Sequence, residues 1–290
     1  MDAPNTPTES LRRDRYGAPI ESHIWDHYVL ELQLAERLLN SERSERIGGG
    51  LYTEVYDTLF KSVPLHPQNR KRAEDLNADR ARRASILRAV VPAGAAFLEV
   101  GAGDGRLSLD LLGHVSQAHA VDVSEQVLAE EHAREGFHFH ISDGVSMPLP
   151  EGSIDFAYSN QLIEHLHPDD AAEQLSEIFR VLKPGGDYLC VTPNRLSGPH
   201  DISDLRHETS CGLHLQEFGC RSLAALMERA GFMNIRLLVG KKRGAEISVA
   251  HGALREDIYK AMRAVLGERR ARTNPIGLRL VNLQMLATKP

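Results

Sequence analysis

Residues 96–105 read Ala96-Phe97-Leu98-Glu99-Val100-Gly101-Ala102-Gly103-Asp104-Gly105, an apolar strand that ends near an acid and runs into three alternating glycines. Lacking a Cβ, Gly101, Gly103 and Gly105 can adopt positive φ, so the backbone can turn sharply and pass close to a ligand before a helix begins near Arg106. A dinucleotide fingerprint, G-x-G-x-x-G, needs a glycine where Arg106 stands. An acid two residues before the first glycine also repels phosphate, whereas it suits a ligand that carries an amino group.

The strand-then-loop pattern recurs along the chain. Ala118-His119-Ala120-Val121-Asp122 reads as a second strand ending in an acid about 20 residues after the glycine loop, where a carboxylate can accept both hydroxyls of a ribose. A helix is expected from near Ser124. Residues 137–141 read as a third strand followed by Ser142-Asp143-Gly144, and 154–158 as a fourth, with Ser159 and Asn160 at its carboxyl end. A helix from near Asp169 is expected to stop at Leu182-Lys183-Pro184-Gly185-Gly186 and turn into a fifth strand over 188–192, by the glycine and proline chemistry of helix ends.

The Glu99-x-Gly101-x-Gly103-x-Gly105 spacing resembles motif I of the class I S-adenosylmethionine-dependent methyltransferases, in which the loop lies against the methionine portion of the cofactor. Ser142-Asp143-Gly144 resembles that family's adenine site, Asp155 matches its structural strand-start acid, and Lys-Pro-Gly-Gly is a frequent sign of it. The resemblance covers roughly residues 93–240. It implies an α/β fold, a doubly wound, mostly parallel seven-stranded Rossmann-like sheet with an N-terminal helical extension. The implied cofactor is S-adenosyl-L-methionine, leaving as S-adenosyl-L-homocysteine. The implied cofactor residues are Glu99, Gly101 and Gly103 at the methionine end, Asp122 with Val123 at the ribose, Asp143 and Gly144 at the adenine, and Asn160 toward the methyl group.

With 290 residues the chain can bury a full core and carry further segments. We divide it into an N-terminal tail and helical lid or extension (1–90), a cofactor-binding core (91–240), and an insertion helix with a final sheet strand (241–290). The hydrophobic share of 42% and charged share of 26% are those of ordinary globular proteins. Cys190, Cys211 and Cys220 lack metal or redox spacing and read as free thiols. No apolar run reaches the roughly 18 residues that span a bilayer, and Asp2, Glu9 and Asp14 stand where a secretory signal is apolar, so a cytoplasmic protein is expected. A net charge of −6 disfavours nucleic acid as partner. The local basic run Arg70, Lys71, Arg72, Arg80, Arg82, Arg83 and Arg88 reads as a solvated helix face, with an acidic acceptor as its alternative use.

Residues 1–20 are rich in Pro, Thr and Ser with little periodicity and are expected to be mobile. Trp25, Tyr28, Leu32, Ala35 and Leu39 follow helical spacing over 24–39, and a second helix is expected over 51–60. The segment 40–50, with Gly48-Gly49-Gly50, reads as a flexible connector, a possible hinge that would let Tyr52 or Tyr56 close over the site; packing or dimer contact is the alternative. Beyond residue 240 the resemblance fades: 241–277 reads as an insertion with one amphipathic helix over 254–266, and 278–287 as the last strand.

The loops 161–167 and 193–201 leave the carboxyl ends of the fourth and fifth strands, where parallel sheets bind ligands. His165, and His214 ahead of a helix over 221–230, are the candidate catalytic residues, because a hydroxyl acceptor gains most from a base titrating near neutrality. Glu164, His165 and His214 together also form a donor set for a divalent metal. The Glu-His pair resembles those of small-RNA 2′-O-methyltransferases and quinone-biosynthesis O-methyltransferases, but Gln161 stands where the RNA enzymes have another acid, so no resident metal is assigned. The reading is a methyltransferase acting on an oxygen of a small-molecule acceptor, such as a sugar, polyketide, quinone or other secondary metabolite, as monomer or homodimer. The alternatives are transfer to nitrogen or carbon, a cofactor-binding partner protein without catalysis, and a nicotinamide-dependent oxidoreductase, which Arg106 and Glu99 disfavour.

Overall fold

The computed structural model describes residues 12–63, 73–123, 134–239 and 245–290. The expected helix after Ser124, the Arg70-Lys71-Arg72 triplet and residues 1–11 lie outside them. Five parallel strands form the centre of the molecule: β1 (Ala96–Val100), β2 (Gln117–Asp122), β3 (Phe137–Ile141), β4 (Ile154–Asn160) and β5 (Leu182–Thr192). Three more strands, β6 (Met233–Leu238), β7 (Glu246–Ser248) and β8 (Leu283–Thr288), complete one sheet of order β3-β2-β1-β4-β5-β8-β6-β7. β8 runs antiparallel to both β5 and β6. The described sheet thus has eight strands rather than seven, because β7 folds back along the outer edge of β6.

Every residue of β1 is buried, as a parallel sheet covered on both faces requires. Alternate side chains feed two cores. Phe97, Phe156 and Tyr158 pack with α4 (Ala73–Val90) and α5 (Arg106–Leu111). Leu98, Val100 and Ala157 pack on the other side with α1 (Ser22–Leu39), α3 (Leu51–Ser62), α6 (Pro168–Val181) and α7 (Cys220–Arg229). The Lys-Pro-Gly-Gly turn is a bulge inside β5: Ile154 pairs with Leu182, but Phe156 pairs with Asp187. Gly185 takes φ +78° there. Asp155 secures the arrangement, accepting from the Ala96 N–H and from Lys183 Nζ, each at 2.8 Å.

Several expectations are corrected. In α1 the buried stripe runs through Leu34, Ala35 and Leu38, leaving Leu39 exposed; the helix is rotated so that its apolar face meets α3. Residues 12–20 are not a free tail, since Arg13 bridges to Pro19 and Arg15 pairs with Glu268. The connector 40–50 is not a loose hinge. It contains α2 (Arg43–Arg46), and the Arg46 guanidinium meets Asp170 at 2.6 and 3.0 Å, with side chains 3% and 0% exposed. The Tyr52 hydroxyl donates to the same carboxylate at 2.7 Å and accepts from the His167 N–H at 2.9 Å. Toward the other end, the insertion helix starts earlier, as α8 (Val249–Leu266) capped by Ser248. α9 (Glu268–Thr273) follows, and α10 (Pro275–Leu280) occupies the start of the expected last strand. Asn274 caps α10 by accepting from Ile276 and Gly277, with proline at the first helical position where it costs no hydrogen bond.

Removing Arg46 strands a buried carboxylate. Arg46→Ala is expected to lower unfolding free energy by about 3–5 kcal/mol, read as a reduced midpoint in urea denaturation at unchanged slope.

Candidate cofactor and acceptor site

Gly101, Gly103 and Gly105 take φ of +71°, +55° and +66°, which glycine adopts without strain. The bend is strapped to the end of β2. Gly101 and Ala102 donate to the Val121 carbonyl at 2.9 and 3.1 Å, and Gly103 donates to Asp122 Oδ2 at 2.7 Å. Asp122 Oδ1 accepts from the Val123 N–H at 2.8 Å. A Cβ on Gly101 would stand 3.0 Å from the Leu162 side chain, so this loop and the one after β4 are in close approach.

Between them lies a cavity of about 330 Å3, lined by Gly101, Asp122, Val123, Gly144, Leu162 and Gln174 among others. Four of the expected cofactor residues therefore meet here, on mostly apolar walls with a carboxylate at the edge, as a nucleoside requires. Asp143 flanks this wall but turns into its own loop, accepting from the N–H groups of Val145 and Ser146 and from the Ser146 hydroxyl. Burial pushes its carboxyl upward, but the Ser146 and Val145 N–H groups outweigh that and hold it below its ordinary range.

Glu99 and Asn160 lie on the opposite face of the sheet. Asn160 lines a second cavity of about 430 Å3 with Arg82, Arg83, Tyr158 and Gln284, since in a strand it shares its face with Tyr158. Ser159 faces the other way and is held by the Tyr188 hydroxyl at 2.7 Å. Glu99 is 4% exposed and accepts from Ser108 at 2.6 Å; burial pushes its carboxyl up to about 7, against that hydrogen bond and the pull of Arg83. The basic run is accordingly divided: Arg80 pairs with Asp110, Arg82 with Asp79, and both Arg82 and Arg83 border this second cavity.

At the rim beyond Leu162, the 3-10 turn Ile163–His165 meets the loop carrying His214. The two imidazole rings stand edge to face, centroids 4.7 Å apart, with Tyr56 edge-on to His165 at 5.9 Å. His165 Nδ1 donates to the Leu213 carbonyl at 3.0 Å and His214 Nδ1 to Glu217 at 2.9 Å, which leaves Nε2 of each ring for the cleft. Burial, then the neighbouring His214, lowers His165 to about 4. Burial also opposes charge on His214, but the Glu217 hydrogen bond prevails and raises it. Burial resists ionisation of Glu217 as well, yet His200 and His214 bring it down to about 2. Glu164 is fully buried; Oε2 accepts from Thr192 at 2.8 Å and Oε1 has no partner.

Gln174 was not among the expected residues. It donates to the Gly144 carbonyl at 2.7 Å, is 2% exposed, and its buried Oε1 is unpartnered beside the first cavity. Its signal was a polar residue on the apolar stripe of α6, between Ala171 and Ile178.

Residues 98–190 match the family described as a methyltransferase domain. A probable S-adenosylmethionine-dependent methyltransferase of Mycolicibacterium smegmatis is 34% identical over 168 residues, 55% of this chain and 61% of the relative. A protein of the same description from Mycobacterium tuberculosis is 32% identical over 177 residues, 59% of this chain and 61% of the relative. The chain thus spans about 61% of the length of either curated relative. Among solved structures, a chain of the complex between the Haloferax volcanii Trm112 methyltransferase activator and a candidate methyltransferase aligns with TM-score 0.51 at 17% identity, covering 75% of this chain and 92% of that one; that likeness is one of fold. With the glycine bend, the Asp122 carboxylate at the end of β2 and the parallel sheet in place, residues 98–190 match a methyltransferase domain and are similar in sequence to S-adenosylmethionine-dependent methyltransferases.

Proposed function

We propose that the protein is an S-adenosylmethionine-dependent methyltransferase that methylates an oxygen of a small-molecule acceptor, such as a sugar, polyketide, quinone or other secondary metabolite, in the cytoplasm. The observation that carries this reading is the pair of imidazoles, tautomer-locked at Nδ1, at the rim next to the first cavity. S-adenosylmethionine supplies a methyl group already made electrophilic by a positively charged sulfur. Asp122 would take the ribose hydroxyls and Gly144 with Gln174 the base, while the methionine end would pass the tip of β1 to the other face of the sheet, where Glu99 would draw the amino group and the Arg82 and Arg83 cavity the carboxylate. A hydroxyl acceptor that took this methyl would have to shed its proton, and an imidazole Nε2 at the rim would receive it. His214, whose Nδ1–H is backed by a carboxylate, has the base-and-orienter arrangement, so it leads His165 in this role. Positioning and exclusion of water supply the remainder.

Three measurements test this. Incubation with S-adenosylmethionine and a panel of hydroxylated, amino and carbon-acid acceptors is expected to yield S-adenosylhomocysteine with hydroxylated ones. Turnover with amines or carbon acids alone redirects the reading, and a folded protein with no calorimetric uptake of S-adenosylhomocysteine removes it. His214→Ala is expected to lower kcat by about 100-fold or more while S-adenosylhomocysteine still binds; near-normal turnover rejects it as base. Glu99 ionises as pH rises through its raised value of about 7, and the ionised form attracts the cofactor's ammonium. S-adenosylhomocysteine should therefore bind roughly tenfold more tightly at pH 8 than at pH 6, a difference that Glu99→Gln abolishes.

A second reading is favoured by the partnerless Glu164 Oε1. One ligand atom each from Glu164, His165 and His214 lie within 4.8 Å of one another, and both rings have the outer hydrogen bonds that metal-ligating histidines make. Gln161 is exposed at φ +54° and adds no fourth ligand. These three donors suit Zn2+, Co2+ or Mn2+ better than Mg2+, and such an ion would acidify a coordinated hydroxyl. Titration with Co2+ alone should then give visible absorption bands saturating at one equivalent and absent from Glu164→Gln; featureless spectra dismiss the metal.

A further inference from the structure

We infer that Glu31 and Asp201 are positioning residues that aim His165 by gripping the backbone on either side of the Leu213 carbonyl, an inference that rests on the reading of His165 as part of the acceptor site. Glu31 lies on α1, far from the cofactor motifs in sequence, yet it is 4% exposed. Its Oε2 meets His27 Nε2 at 2.9 Å, and its Oε1 accepts from the Leu213 N–H at 3.1 Å. Asp201 accepts from the next amide, the His214 N–H at 3.2 Å, and from the Ser210 hydroxyl at 3.0 Å. The carbonyl between those two amides is the one that accepts from His165 Nδ1 at 3.0 Å.

The consequence follows from what each group can do. A carbonyl oxygen only accepts, so His165 must carry its proton on Nδ1 and turn the lone pair of Nε2 to the cleft. The Leu213–His214 amide is also polarised as a unit, because Asp201 accepts from its N–H while its oxygen accepts from the imidazole. Freed from Asp201, the Leu213–His214 plane can rotate; freed from Glu31, the Gly212–Leu213 plane before it can, which moves Leu213 and its carbonyl, and in either case the ring can take the other tautomer. Gly212 records how closely the grip is drawn: a Cβ there would stand 2.6 Å from both Glu31 Oε1 and Asp201 Oδ2. A side chain at this position would have to push one or both carboxylates off their amides. The N-terminal layer therefore contributes to the chemistry of the site through a hydrogen-bonded chain, not only through cover.

The test compares Glu31→Leu, Glu31→Gln and Gly212→Ala in the full chain with S-adenosylhomocysteine bound. Imidazole 15N spectra report the His165 tautomer, and steady-state rates use the best acceptor from the panel. Glu31→Leu and Gly212→Ala should populate both His165 tautomers and lower kcat by about tenfold with KM and S-adenosylhomocysteine affinity unchanged. Glu31→Gln, whose amide oxygen still accepts from Leu213, should restore the single tautomer and most of the rate. A folded Glu31→Leu or Gly212→Ala that keeps His165 wholly Nδ1-protonated overturns the proposal, as does wild-type kcat once the tautomer has shifted. If Glu31→Leu does not fold, Gly212→Ala decides by the same two readouts. Wild-type turnover by His165→Ala removes instead the reading beneath it, since the tautomer shift is observed without any methyl transfer.

Discussion

Three successive N–H groups, those of Gly101, Ala102 and Gly103, turn toward the end of β2 rather than along their own strand. Backbone donors in a tight bend must find acceptors, and here the Val121 carbonyl and the Asp122 carboxylate provide them. That choice fixes the rest of the rim. It holds a bend without side chains open toward the cleft, places Asp122 at the cavity edge, and brings Leu162 against Gly101, so that the histidine-bearing loop begins at the cavity wall.

Much of this was legible because the motifs sit where strand, turn and helix each demand particular residues. The five parallel strands follow from short apolar runs ending in an acid or glycine, and α6 from its stop at Lys-Pro-Gly-Gly, although the turn itself folds as a bulge. Orientation was harder to read. Asn160 falls on the wrong face for the first cavity although the alternation from Tyr158 foretells it. Asp143 satisfies itself within its own turn, a competition that spacing does not reveal. The burial of Leu38 in place of Leu39 depends on where α3 docks, and α10 is announced only by Asn274-Pro275. Pairings between distant residues, Arg46 with Asp170 or Glu31 with Leu213, left no local trace.

The helical layer and the wall of the first cavity are joined through α6. Asp170 receives Arg46 and Tyr52, and one turn later Gln174 reaches Gly144. On α3, Tyr52 and Tyr56 are likewise one turn apart: a Cβ on Gly144 would lie 3.6 Å from the Tyr52 ring, while Tyr56 meets His165. A buried ion pair gains little over an apolar contact but is costly to half-remove. Its effect here is to set the register of α3, so that one tyrosine faces Gly144 at the first cavity and the other the imidazoles.

The position of β8 bears on how the molecule is made. Residues 283–288 form the strand that joins β5 to β6, so during synthesis every earlier strand emerges before the one that unites the two parts of the sheet. At a translation rate of about 5–20 residues per second, the 90 residues that separate Thr192 from Leu283 expose the open flank of β5 for several seconds. A nascent chain at that stage presents an unpaired apolar edge, which makes this interval the one in which chaperone capture or mispairing with a second nascent chain competes with folding.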